Sequence, residues 1–112
     1  MSAKVKEKIK APGHLKRMTQ IWYRRVCGDY KLEPHHLRLL QLCCEAWDRA
    51  QEARETIVKE GAIYHTRFDE PRPHPSIAIE RDSMTTFARL LRELNLDAED
   101  PPDSRPPGLT YP

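Results

Sequence analysis

Apolar residues recur along this chain at intervals of three and four in three separate runs, and Gly or Pro interrupts the chain between them. That period lines up side chains on one face of an α-helix, so the pattern predicts three helices. The first run carries Leu15, Met18, Trp22 and Val26, with Ile21 beside Trp22, and stops at Gly28-Asp29. The second opens at Glu33-Pro34, where proline suits the first helical turn because its missing N–H would have no intrahelical partner. Leu37, Leu40, Cys44, Trp47, Ala50 and Ile57 mark one face, and Leu39, Leu42, Cys43, Ala46 and Ala53 widen it enough to meet two neighbours. Spanning 34–60, this central helix is expected to be about 40 Å long at 1.5 Å per residue, and so long a helix overhangs its own small domain and invites a partner subunit. Its other side carries Glu45, Asp48, Arg49, Glu52 and Glu55, the composition of a solvated surface.

Gly61 fits the residue past a helix C-terminus. Residues 62–66, Ala-Ile-Tyr-His-Thr, have the β-branched and aromatic character of a short strand, and 67–73 form a turn or loop, so a hairpin or extended segment joins the second and third helices. His74-Pro75 opens the last helix. His74 has two readings, a proton carrier or ligand and an N-terminal cap; with no Cys or acid in motif spacing, the cap is favoured. Ile77, Met84, Phe87, Leu91 and Leu94 form a narrow stripe, three of them seven residues apart, as at a helix–helix seam. The expected architecture is therefore mainly α: three helices with a long central one, and a short β-hairpin or extended segment between the second and third. A disordered basic arm over 1–12 precedes a helical unit over 13–97, and an acidic, proline-rich tail follows over 98–112.

With 112 residues, the chain has room for one small domain, and subunit association would cover the surface that such a domain leaves exposed. No stretch approaches a membrane span, and the first ten residues lack the apolar block of a signal peptide, so the expected location is a cytosol. Cys27, Cys43 and Cys44 form no CxxC pair, which suits a reducing compartment, and with His35 and His36 they lack the paired spacing of a zinc site. No phosphate-binding glycine loop, serine elbow or HExxH helix occurs, and a thin helical chain offers no evident cleft for paired carboxylates; catalytic residues, metal ligands and cofactors are expected to be none.

The net charge of +2 conceals a division. Residues 1–31 hold nine Lys or Arg against Glu7 and Asp29, whereas 32–112 hold ten against fifteen acids. A basic end of this kind meets phosphate backbone. Lys4, Lys6, Lys8 and Lys10 in the arm, with Lys16, Arg17, Arg24, Arg25, Lys31 and Arg38 around the first two helices, are the candidate DNA contacts, arranged as a helix-turn-helix variant would place them. Trp22, Tyr23 and Trp47 sit at helical spacing among Leu and Ile, where core packing is favoured over base stacking.

Together these residues resemble a family. A short basic helix with Trp22-Tyr23, a long helix containing Leu40, Cys44-Glu45-Ala46-Trp47 and Ala50, then Glu60-Gly61, an extended segment, His74-Pro75 and a helix closing on Leu94-Asn95-Leu96 are similar to the small terminase subunits of tailed bacteriophages. The likeness covers about residues 12–105 and is closest to the compact branch that closes on a Leu-Gly-Leu-like turn. It departs where the glycine usual before His-Pro is missing from 67–73, and in the prolines around Ser104-Arg105. The resemblance implies a non-enzymatic packaging factor in the host bacterial cytoplasm. Such a factor forms a homo-oligomeric ring, binds viral double-stranded DNA, and recruits and regulates the large terminase, the ATPase-nuclease. Leu40, Trp47, Ile77, Met84, Phe87, Leu91 and Leu94 are the candidate subunit interface. Two rival readings of the same residues are a small helical DNA-binding transcription regulator and a helical interaction module that binds no DNA.

Overall fold

The computed structural model describes residues 9–96. Helix α1 (Arg17–Asp29) is followed by α2 (Pro34–Glu60), a two-stranded antiparallel hairpin of β1 (Ile63–His65) and β2 (Pro71–Pro73), and α3 (Pro75–Leu94). The three helices, the long central one and the hairpin all stand where the apolar pattern predicts them, and α2 has the expected bounds.

Helices α2 and α3 pack antiparallel. Glu60 meets His74, Arg54 meets Glu80 and the Cys43 thiol lies 3.8 Å from the Phe87 carbonyl, so the pairing runs from the hairpin end to the far end of α3. Helix α1 folds back on the N-terminal half of α2. A core of Leu15, Tyr23, Val26, Leu40, Cys43, Cys44 and Leu94 forms where all three helices meet. Ile9 and Ala11 also pack against it. Beyond this head, α2 and the start of α3 continue as a two-helix stalk. Its seam is made of small side chains, Ala46, Ala50, Ala53, Ser76 and Ser83, all buried.

The packing row of α3 therefore differs from the predicted stripe. Ser76, Ser83 and Leu94 are its buried residues, Phe87 is partly buried, and the seven-spaced Ile77, Met84 and Leu91 lie on the flank, half-buried. The small seam explains the shift: serine and alanine let two backbones approach closely, which leaves larger neighbours on either side. The first helix is likewise rotated from expectation. Thr19, Tyr23 and Val26 face inward, Trp22 is half-buried, and Met18 is 73% exposed.

Backbone geometry accounts for the connections. Gly61 ends α2 at φ 94° and ψ 154°, a region almost confined to glycine. In the hairpin, His74 N–H donates to the Ala62 carbonyl and Thr66 N–H to the Glu70 carbonyl. The alternation of an antiparallel ladder then puts Pro71 and Pro73 at positions that form no inter-strand bonds, where a missing N–H costs nothing. The turn closes with Asp69 N–H donating to the Thr66 carbonyl, and Asp69 itself takes φ 63°. Aspartate tolerates that left-handed conformation, which is how the loop manages without the glycine missing from 67–73. Asn95 does the same at the end of α3, with φ 51° and its N–H donating to the Leu91 and Arg92 carbonyls. It supplies the left-handed residue of the Leu94-Asn95-Leu96 turn.

Candidate nucleic-acid interface

Helix α1 begins at Arg17 with Lys16 as its N-cap, a residue whose side chain cannot accept a bond from the first-turn N–H groups. The end is anchored from α2 instead, through the N–H of Lys16 itself and a side-chain hydroxyl. The carboxylate of Asp48 accepts the Lys16 N–H at 2.8 Å and the Thr19 hydroxyl, and Asp48 is only 7% exposed. On either side of it, His14 Nε2 meets Glu45 Oε2 at 2.8 Å and Lys16 Nζ lies 3.6 Å from Glu52. Glu45, Asp48 and Glu52 were expected on a solvated face; they form the seat of α1, with spacing of three and four that matches one side of a helix. Glu45 has its carboxyl held below the usual range, first by the Gln41 amide that donates to it at 3.0 Å and then by His14.

The same contacts tie the start of α1 to the middle of α2.

Once α1 is seated through Thr19, Tyr23 and Val26, its opposite face must point outward. That face carries Arg17, Arg24 and Arg25, all exposed, with Ile21 and Gly28 between them. Lys31 follows, exposed, in the connector; Arg38 is exposed on α2, a different helix, and Lys10 is exposed ahead of α1. Among the described residues, none of Lys10, Arg17, Arg24, Arg25, Lys31 and Arg38 makes an ion pair. Lys16 is the exception in the candidate set, drawn toward Glu52. Lys4, Lys6 and Lys8 lie outside the described residues.

The remaining candidate groups are structural. His74 caps α3: its Nδ1 accepts the Ser76 N–H at 3.0 Å, which leaves Nε2 to donate to Glu60 at 2.8 Å. The ring thus joins the end of α2 to the start of α3, as the cap reading expects, with an acid partner that motif spacing did not reveal. His36 Nδ1 accepts the Glu33 N–H at the start of α2. Burial raises the Cys43 thiol to about 11 and the Cys44 thiol to about 12, so both stay protonated near neutrality. Among the described residues, no cluster of His, Cys, Asp or Glu is placed to hold a metal ion, and no helix is long and apolar enough to cross a membrane.

Sequence reasoning missed Asp48 and Glu60 as partners. The signal for Asp48 was the pairing of an uncapped basic helix start with an acidic row on the next helix; Glu60 had none, since the hairpin length that brings it to His74 is not encoded locally.

Neither a curated protein nor a solved structure matches the chain. The family model described as phage terminase, small subunit, matches residues 19–103, three quarters of the chain and all but the start of the three-helix unit. The chain belongs to the family of phage terminase small subunits.

Proposed function

We propose that this small subunit binds viral double-stranded DNA through the outer face of α1 and, as a homo-oligomer, recruits and regulates the large terminase subunit at the start of genome packaging. The observation that carries the DNA reading is the set of three arginines, Arg17, Arg24 and Arg25, unpaired among the described residues, on one face of a helix whose other face is clamped by Asp48. A helix presenting cations on one face over two turns suits contact with phosphates, and such contact positions the protein without reading bases. Lys31 and the Lys4, Lys6, Lys8 and Lys10 arm extend the same charge.

The oligomer reading rests on the stalk. Val58, Ile63, Phe68 and Ile79 are exposed there, beside the half-buried Ile77, and a two-helix seam of alanine and serine has no means of covering them. Of the residues expected at a subunit interface, Leu40 and Leu94 are consumed by the subunit's own core, so the proposed contact is centred on the stalk, beside Ile77.

Anisotropy titration of the purified protein with duplex from the viral genome end, over a series of salt concentrations, tests the DNA reading. Three phosphate contacts per subunit predict that log affinity falls with log salt with a slope of about −3 per bound subunit. Reversing Arg24 and Arg25 to Glu should lower affinity at least tenfold and flatten that slope, with the circular dichroism of the helices unchanged; equal affinity in the variant removes the assignment. Light scattering supplies the mass. A closed ring of many subunits supports packaging, a dimer favours the transcription regulator, and a monomer overturns the oligomer reading.

A further inference from the structure

An open apolar groove runs between α1 and α3. It consists of two adjoining hollows, of about 420 and 610 Å³, which share Trp22, Phe87 and Leu91. Met18 and Trp47 line one end; Tyr30 and Leu96 line the other. The lining is unusually aromatic for so small a chain: the Trp47 and Phe87 rings are 5.1 Å apart between centroids and those of Trp22 and Phe87 6.5 Å apart. Much of it still meets water, since Met18 is 73% and Trp47 37% exposed.

The sequence continues from Leu96, a residue of the groove itself, for sixteen more residues. Five of these are proline, at 101, 102, 106, 107 and 112, and Asp97, Glu99, Asp100 and Asp103 outnumber the single Arg105. Proline-rich peptides dock well in aromatic grooves because their backbone is already restricted, so little entropy is lost on binding, and proline rings lie flat on tryptophan and tyrosine. Reach is ample: at 3.1 Å per residue sixteen residues span about 50 Å, against about 20 Å for a groove as long as α1. Charge agrees as well, because Arg92 lines the groove at the end where the acidic residues begin. A tether of a few residues also holds such a segment at an effective concentration on the order of millimolar.

We propose that this groove is the docking site of the chain's own proline-rich segment, residues 97–112. The inference is independent of the DNA reading, which concerns another face of α1.

The protein's two tryptophans, Trp22 and Trp47, both line the groove, so they report its occupancy directly. Acrylamide quenching of tryptophan fluorescence is measured on the full chain and on a full-length variant with Pro101, Pro102, Pro106 and Pro107 each replaced by Ser. The expected result is a quenching constant about twofold higher in the variant, as half-covered rings open to solvent, and recovery of protection when a synthetic peptide of residues 97–112 is added at millimolar concentration. Met18→Glu, a change at an exposed position, should raise quenching in the native chain and abolish recovery when combined with the four serines. Unchanged quenching on loss of the prolines overturns the proposal. So does protection that follows protein concentration and ignores the prolines, which would assign the groove to a second copy, or recovery that ignores Met18→Glu.

Discussion

The head and the stalk of this subunit share two continuous helices yet are held together by different physics. In the head, α1, the first half of α2 and the end of α3 surround Leu40, Cys43 and Cys44, which have no exposure to solvent, and large side chains interlock from three directions. In the stalk, two helices meet through Ala46, Ala50, Ala53, Ser76 and Ser83, and polar contacts from Arg54 to Glu80 and Glu60 to His74 bridge it further out. Burial of apolar surface scales with side-chain size, so the head gathers most of the hydrophobic stabilisation while the stalk relies on close backbone approach. The difference teaches which part of the chain stands alone. The head encloses its own core; the stalk leaves Val58, Ile63, Phe68 and Ile79 outside.

The sharpest way to break this contrast is to exchange the sizes of buried residues. Leu40→Ala should cost about 3 kcal/mol in urea unfolding, because a fully enclosed leucine leaves a cavity that three converging helices cannot close. The converse change belongs to the stalk. Ala53→Leu should cost about 2 kcal/mol by forcing α2 and α3 apart, and it should do so without loosening the head. A stalk that accepted leucine without loss would show that its seam is not close-packed, and the distinction would fall.

Next in size is the clamp between α1 and α2. Asp48→Ala strands the Lys16 N–H and the Thr19 hydroxyl in a place that water reaches poorly, for an expected loss of about 2 kcal/mol. Hydrogen exchange localises the effect: amides of α1 should lose protection while those at the α2–α3 seam keep theirs. If both regions weaken equally, α1 is not a separately anchored element.

These two regions also differ in how much of them was legible in sequence. Three-four periodicity marked all three helices, and Pro34, Gly61 and Pro75 marked their ends, because each of those signals is local. The breadth of the apolar face on α2 disclosed that it has two neighbours. Which residues turn inward was less accessible: Met18 is apolar yet lies outside, since Thr19 is drawn to Asp48 and sets the rotation of α1. Of the stalk seam, Ala46, Ala50 and Ala53 were legible in the apolar face of α2, whereas Ser76 and Ser83 were not, because serine does not stand out from the larger Ile77, Met84 and Leu91 beside it. At the candidate interface, the basic character was readable from charge counts, and the arginines that share a face follow from helical spacing once that rotation is known. The seating of α1 on α2 was not readable, because a carboxylate thirty residues away in sequence decides it.

At the base of the stalk, Gly61 tests how firmly its two helices are set. A side chain there would meet nothing closer than the Ile63 carbonyl oxygen at 3.8 Å, so space is available; the difficulty is φ 94° itself. Gly61→Ala should cost about 1 to 2 kcal/mol through backbone strain alone. The His74 bond to Glu60 depends on that same turn, so the His74 ring resonances in NMR should shift in the variant while those of His14 in the head stay in place.

The smallest expected effect concerns acid. Glu45 has a depressed carboxyl pKa in the folded chain, chiefly from the Gln41 amide and also from His14, so the folded state favours its charged form. Its stabilising contribution is present above the ordinary glutamate range, near pH 4.3, and is lost as pH falls from there through the depressed folded value. Both partners lie in the head, on the side where α1 is seated. Acid should therefore loosen α1 before the α2–α3 seam, with Glu45→Gln showing a shallower decline of stability below about pH 4.5 than the native chain. Measuring unfolding free energy from pH 6 to pH 3 in both proteins decides it: parallel curves would mean that the Glu45 contacts add nothing to the anchoring of α1, leaving Asp48 to hold the helix alone.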